Sequence, residues 1–326
     1  MKRILSGMRP SGRLHLGNYW GALERWVRLQ DSGEYECFYM VADWHALTTG
    51  YDDTKEFRQN AEDMVLDWLS AGLDPQKSVL FQQSSVMEHA ELSLLFSMIT
   101  PLGWLERIPT YKEQLRELSE REITTHGFLG YPVLQAADIL IYKAEAVPVG
   151  EDQLSHVEFT QDVAKRFNHL YGDVFPEPKP LLSATPKVPG LDSRKMSKSY
   201  GNTIEISESV ESISKKISRM FTDPQKKRAD DKGHPDGCVV YAFHKIYNKE
   251  AAVREQECRE GRIGCVSCKK NLSELLLAAM APMQKRRAEL MKDKGCVRAV
   301  LDEGNRKARD VARQTMAEVR RNMGLA

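Results

Sequence analysis

Along the first two hundred residues, short apolar runs alternate with segments whose apolar positions recur every three to four residues. That alternation predicts an α/β fold, a parallel sheet with crossover helices. Arg3–Ser6 reads as a first strand. A Gly/Pro/Ser turn follows at Gly7–Gly12, then a helical stripe of Leu16, Tyr19, Trp20, Leu23 and Val27. Cys37–Ala42 reads as a buried strand. Thr54–Ala71 carries Phe57, Ala61, Met64, Val65, Trp68 and Leu69 on one helical face, with Gly72 placed to cap its end. Ser78–Gln82 is a third strand, His89–Thr100 a helix halted by Pro101, Val147–Val149 a short strand, and Leu154–Leu170 an amphipathic helix. Residues 102–145 read as a helical insertion between the halves of the sheet, and a Pro-rich stretch covers Phe175–Pro189.

Beyond Gly201 the strand signals fade. Ser207–Phe221, Val239–Lys249, Leu272–Asp293 and Asn305–Met323 all have helical period. The chain is therefore expected to divide near residue 205 into an α/β domain, 1–204, and an all-helical domain, 205–326. The last helix is a candidate to pack back on the first domain.

Composition agrees with this picture: 326 residues suit two domains, and 41% hydrophobic with 29% charged residues suits a soluble globular chain. No apolar run approaches the roughly 20 residues that cross a bilayer. The N-terminal MKRILSGMRPSG lacks the apolar stretch of a signal peptide, so a cytoplasmic enzyme without membrane attachment is expected. The net charge of +1 hides an asymmetry. Residues 1–204 hold 21 Lys and Arg against 28 Asp and Glu, and residues 205–326 hold 26 against 18. A basic last part suits a polyanionic partner, although solvated long helices have the same composition.

Candidate chemistry concentrates in two loops. Arg194–Asn202 packs three cations into five positions among small and hydroxyl residues. Lys195 and Lys198, three apart, are placed to close over a triphosphate and to stabilise charge developing on departing pyrophosphate. Read alone, such a loop also suits a solvated linker. The other loop is His15-Leu16-Gly17-Asn18, preceded by Arg9-Pro10-Ser11-Gly12, at the first strand-to-helix turn. There Gly17 lets the backbone approach a nucleotide, and the helix start offers unpaired N–H groups to phosphate.

Lys195-Met196-Ser197-Lys198-Ser199 matches the KMSKS signature of class I aminoacyl-tRNA synthetases at all five positions, and His15–Asn18 is similar to their H-x-G-H signature. With Ala42–Ala46 (ADWHA), Tyr131–Tyr142 (YPVLQAADILIY) and Val147–His156 (VPVGEDQLSH), the chain resembles the bacterial tryptophanyl-tRNA synthetases over essentially its whole length. The resemblance implies a Rossmann-like (HUP-type) catalytic domain followed by a helical tRNA anticodon-binding domain. It further implies ATP with Mg²⁺, L-tryptophan and tRNA(Trp) as partners, and a homodimer. Tyrosine-type synthetases share the fold and both signatures. A non-catalytic RNA-binding paralogue, or one activating an amino acid for other chemistry, is opposed by the intact loops and the basic helical part.

By the same resemblance His15, Asn18, Lys195 and Lys198 are the catalytic residues. ATP is expected against Arg9, Pro10, Ser11, Gly17, Asn18, Gly150, Glu151, Asp152, Leu181, Lys195, Met196, Ser197, Lys198 and Ser199, with Lys112 a further candidate. Asp138 would accept the indole N–H, while Tyr131, His45 and Gln153 orient the ammonium and carboxylate. Arg9 departs from the family, many of whose members have Gln there. The chemistry needs no general base, because the amino-acid carboxylate is already ionised.

Four of the six cysteines crowd into 31 residues: Cys238, Cys258, Cys265 and Cys268, spaced C-x19-C-x6-C-x2-C. In a cytoplasmic chain such crowding favours metal over disulfides. One close pair rather than two suits an iron–sulfur cluster better than zinc, which stays the alternative. A subset of bacterial tryptophanyl-tRNA synthetases has a 4Fe–4S cluster on a similar cysteine block.

Overall fold

The computed structural model describes residues 1–109, 124–182, 188–293 and 295–326. Lys112 and part of the 102–145 insertion lie outside the described residues. Five parallel strands run β1 (Lys2–Met8), β2 (Tyr35–Val41), β3 (Ser78–Gln82), β4 (Ala146–Val149) and β5 (Lys179–Leu182). Their spatial order is β3-β2-β1-β4-β5, so the chain winds outward in both directions from β1. Ile4 pairs with Cys37 on one side and Ala146 on the other. The reversal between β1 and β4 leaves a crevice beyond their carboxyl ends, the place where open α/β sheets bind ligands.

The helix after β1 begins as α1 (Leu16–Asn18), loosens into a π-helical turn over Tyr19–Leu23, and resumes as α2 (Glu24–Ser32). Helix α3 (Asp43–Gly50) follows β2, and α4 (Phe57–Ala71) ends where Gly72 takes φ 122° and donates its N–H to Leu69. A side chain at Gly72 would need that strained φ and would also press on Val27 at 3.3 Å. Helices α5 (Glu88–Ile99), α6 (Leu102–Glu106) and α7 (His126–Ile141) precede β4, and α8 (Leu154–Tyr171) follows it. Two apolar clusters cover the sheet, one built on Phe38, Phe81 and Tyr142, the other on Trp26, Tyr39 and Trp68.

After β5 the described elements are helices: α9 (Val210–Ser218), α10 (Val239–Tyr247), α11 (Ala251–Arg259), α12 (Cys265–Leu290) and α13 (Cys296–Asn322). Helix α13 returns to the sheet. Gly304 lies so close to β3 that an added Cβ would meet the Leu80 carbonyl oxygen at 1.8 Å. Asn305 accepts the N–H of Gln82 at 2.8 Å, and Ala308, Ala312, Met316 and Val319 join the first sheet cluster. A strand edge is thereby covered and part of its hydrogen bonding satisfied.

Several elements differ from the expectation. Helices α3 and α11 and strand β5 carry too weak a pattern to be read: α3 has no fully buried side chain, α11 none, and β5 sits in the Pro-rich stretch. Helices α12 and α13 begin seven and nine residues earlier than expected: the first turn of α12 is exposed or half-buried, whereas the start of α13 sends Val297, Val300 and Leu301 to the second sheet cluster.

Candidate functional site

A cleft of about 520 Å³ opens beyond the carboxyl ends of β1 and β4. Its walls bring together Arg9, Ser11, Asn18, His45, Tyr131, Asp138, Gly150, Asp152 and Gln153, residues that sequence reasoning had assigned to one site. Arg9 points into the cleft with its side chain open to solvent, and the crowding of the surrounding walls lowers its pKa, partly offset by Tyr131. A Cβ at Gly150 would meet the Asp152 carboxylate at 2.6 Å, so a side chain there would push Asp152 from its present position. Glu151 is exposed beside the cleft, and Pro10 is buried behind Arg9. Leu181 lies in β5, half-buried with the second sheet cluster, and is not among the lining residues.

Asp138 is the most constrained group in the cleft, with 1% of its surface exposed. His45 Nε2 lies 2.7 Å from one carboxylate oxygen and His89 Nδ1 2.6 Å from the other. Gln83 Nε2 donates to both oxygens at 2.9 Å. Burial alone would raise the Asp138 pKa, but the hydrogen bonds from the two histidines outweigh it and the net shift is downward. Behind it His89 Nε2 meets the buried Tyr142 hydroxyl at 2.7 Å. With Tyr142 donating to Nε2, His89 presents an Nδ1 proton to Asp138, an ordered chain ending on the carboxylate. Tyr131 reaches His156 Nε2 at 3.2 Å, and burial lowers His156 to about 4, assisted by His45 and opposed by Asp152.

At the turn after β1, His15 and Asn18 cap each other. Asn18 N–H donates to His15 Nδ1 at 3.3 Å, and His15 N–H to Asn18 Oδ1 at 3.1 Å. This reciprocal cap fixes both side chains. Burial first, then the charge of Lys198, lowers His15 to about 4. His15 is therefore neutral at pH 7, and since Nδ1 accepts, its proton stands on Nε2 as a free donor. Gly17 has no room for a side chain: a Cβ would lie 2.9 Å from the His15 ring.

The Lys195–Ser199 loop meets this turn. Met196 is buried in a third apolar cluster with Leu16, Ile204 and Phe243, and its sulfur accepts Gly17 N–H at 3.3 Å. Lys195 and Ser199 are exposed, and Ser197 is half-buried. Lys198 reaches across to the Ser11 carbonyl at 2.9 Å. Asn202, buried to 3%, ties the loop together: it accepts Ser197 N–H at 2.8 Å and donates to Asp192 at 2.7 Å and the Lys195 carbonyl at 3.1 Å.

A profile of the class I tRNA synthetases of the tryptophan and tyrosine type matches residues 1–281. The chain belongs to this family. It is 53% identical to the tryptophan–tRNA ligase of Thermotoga maritima, over 99% of each chain, and 48% identical to that of Aquifex aeolicus, over 99% of this chain and 100% of the other. Among solved structures it is similar to the Campylobacter jejuni tryptophanyl-tRNA synthetase complexed with ADP and tryptophan. That similarity has a TM-score of 0.88 and 35% identity, covering 99% of this chain and 100% of that one. The Rossmann-like fold of the family is the fold described above.

Sequence reasoning missed Gln83, His89 and Tyr142, the groups that hold Asp138. They come from a 3₁₀ turn, from α5 and from the residue capping α7. Histidine and tyrosine inside apolar stretches were the available signal, but their partner was invisible. Gln135, one turn before Asp138, and Arg25 also line the cleft.

The four clustered cysteines line one small cavity in the helical region, together with Asp223, Lys226, His234 and Arg254. Cys238 caps α10, Cys258 ends α11, and Cys265 and Cys268 stand in the first turn of α12. Burial raises the Cys238, Cys258 and Cys268 thiols, Cys268 to about 12, and the neighbouring cysteines add to it. Among the described residues no group of three or more His, Cys, Asp or Glu side chains stands in a metal-holding arrangement. Cys37 is buried in β2 with the second sheet cluster, and Cys296 begins α13.

Proposed function

We propose that this cleft activates L-tryptophan with ATP and that the chain then charges tRNA(Trp), acting as a tryptophan–tRNA ligase. The observation that carries this reading is Asp138, a buried, ionised carboxylate fixed by His45, His89 and Gln83 on the cleft wall. A carboxylate so held accepts the indole N–H and penalises side chains without a donor, which would leave it unpaired. Tyr131, His45 and Gln153 orient the ammonium and carboxylate of the amino acid. Asp152 takes the ribose hydroxyls, beside the backbone of Gly150 and Glu151.

The tryptophan carboxylate attacks the α-phosphorus, an oxygen–phosphorus bond forms, and the bond to the bridging oxygen breaks to release pyrophosphate. Positioning and charge stabilisation suffice. The turn around Pro10, Ser11 and Gly17 brings backbone close to the nucleotide, while the Nε2 proton of neutral His15 and the Asn18 amide donate to the α-phosphate. Arg9 adds a fixed cation. Lys195 and Lys198 neutralise the departing pyrophosphate, with Met196 anchoring their loop and Ser197 and Ser199 lining it. Mg²⁺, carried in with the nucleotide, would supply charge screening for its phosphates. In the second step a ribose hydroxyl at the tRNA terminus takes the acyl group and AMP leaves.

Exchange of labelled pyrophosphate into ATP tests the reading. Exchange is expected with tryptophan; exchange with tyrosine alone, or with neither, rejects it. A tyrosine-type enzyme is the first rejected form and a non-catalytic RNA-binding paralogue the second.

The helical region is assigned to the tRNA anticodon on its excess of Lys and Arg, and a homodimer rests on apolar surface. Met87, Leu94, Met98 and Leu102 are 63, 58, 68 and 67% exposed along α5 and α6. A second copy of the chain covers this stripe, so light scattering should give twice the 37.1 kDa chain mass. Leu94→Asp should halve it. Among the described residues no helix is long and apolar enough to cross a membrane.

The cysteine cavity is assigned to a 4Fe–4S cluster held by Cys238, Cys258, Cys265 and Cys268. Four thiols on one cavity fit that donor set. Buried Lys226 and half-buried Arg254, whose Nε has no hydrogen-bond partner among the described residues, place positive charge on the same cavity. When bound, the cluster would supply a structural cross-link and a reducible centre. Iron and acid-labile sulfide in anaerobically purified protein are expected; stoichiometric zinc without iron rejects the cluster.

A further inference from the structure

Beneath the ATP loops lies an ion pair that joins the helical region to the turn carrying His15. Asp67, in α4, is fully buried. One of its carboxylate oxygens accepts Arg287 Nε–H at 2.8 Å, and the other accepts the backbone N–H of Leu14 at 3.1 Å. Arg287 belongs to α12, 220 residues away in sequence, and also approaches Asp63 at 4.0 Å. Burial raises the Asp67 pKa, while Arg287 and the Leu14 N–H pull it back.

Leu14 immediately precedes His15, so Asp67 grips the backbone one residue before the catalytic turn. The same short segment is held from its other side. Leu14 accepts Ile206 N–H at 2.9 Å, and Leu16 N–H donates to Ile204 at 2.9 Å. Gln284, three residues before Arg287 on α12, donates to the Ile206 and Glu208 carbonyls at 3.3 and 2.9 Å. One face of α12 thus clamps both the turn and the chain that leaves the Lys195–Ser199 loop. Burial lowers the Lys198 pKa, and the nearby charges of Glu205 and then Asp67 partly offset it.

We propose that Asp67 and Arg287 are positioning residues for amino-acid activation, setting the His15–Asn18 turn against the Lys198 loop according to the placement of helix α12. This rests on the ATP-site reading above. A buried ion pair of this kind is weak support for stability on its own, since hydrophobic replacement is often neutral. Its use here is geometric: a carboxylate bonded at once to a backbone N–H and a guanidinium fixes the distance between them.

The test is tryptophan-dependent pyrophosphate exchange with the full chain. Asp67→Asn and Arg287→Met are each expected to lower kcat about tenfold while KM for tryptophan changes less than about twofold. The double variant should lose no more than either single one, because the pair acts as a unit. Arg287→Lys, which keeps the charge and loses the fork, should fold readily and lose about threefold in kcat. Additive losses, an effect confined to KM, or a lowered Tm with kcat unchanged would each overturn the proposal. Lys198→Ala separates the two readings. Wild-type exchange there overturns both; lost exchange there, with kcat unchanged in all three Asp67 and Arg287 variants, overturns the positioning role alone.

Discussion

The Asp138 wall of the cleft and the Lys195–Ser199 loop are built in opposite ways. At Asp138 the carboxylate meets His45, His89 and Gln83 at once, and His89 is itself held by the Tyr142 hydroxyl. In the Lys195–Ser199 loop only Met196 is buried, while Lys195 and Ser199 stand in solvent. Recognition of a neutral, rigid side chain gains from groups fixed in advance. Stabilising charge that appears late in the reaction needs cations that approach at the right moment. The loop is therefore anchored at Met196, at Asn202 and by Lys198 on the Ser11 carbonyl, with Lys195 left in solvent.

Four perturbations break or sharpen this contrast. Asp138→Asn should cost most. It removes the charge and turns an amide donor toward His45, His89 or Gln83, so kcat/KM for tryptophan should fall about a thousandfold. Pyrophosphate exchange at varied tryptophan measures it, and the loss should fall largely in KM. Lys198→Ala should cost about a hundredfold in kcat with tryptophan affinity kept, the signature of an interaction made in the transition state. Equal losses in kcat and affinity would make the loop a binding element and remove the contrast.

Asn202→Ala removes three hydrogen bonds, those with the Ser197 N–H, the Lys195 carbonyl and Asp192. It should lower kcat about tenfold and stability by about 2 kcal/mol, read from chemical denaturation. The smallest effect concerns pH. His15 and His156 have folded-state values of about 4, below the ordinary 6.5. The unfolded chain binds more protons between those values, so the stability they contribute is present above about 6.5 and is lost as pH falls toward 4. Melting temperature should drop across that window, and His156→Gln should flatten part of the drop.

Legibility followed range. The two loops were readable because each is a contiguous string whose chemistry is local: cations beside Gly and Ser, or a His-x-Gly turn before an apolar stripe. Strands β1 to β4 were readable because burial on both faces leaves continuous apolar runs. Helices α3 and α11 were not, since neither buries a side chain fully and their period is faint. Within the cleft, Asp138 stood out as a carboxylate in an apolar helix, whereas Gln83 and His89 resemble ordinary turn and core residues until α5 is packed on α7.

The sequence by itself determined strands β1 to β4 and the strongly periodic helices, the two signature loops and the crowding of four cysteines, because periodicity, turn chemistry and spacing are properties of neighbouring residues. Tertiary structure alone decided which oxygen of Asp138 each partner takes, that His15 is neutral, and that Asp67 receives Arg287 from another part of the chain. Hydrogen bonding and desolvation act between surfaces brought together by folding, over separations that no local pattern encodes.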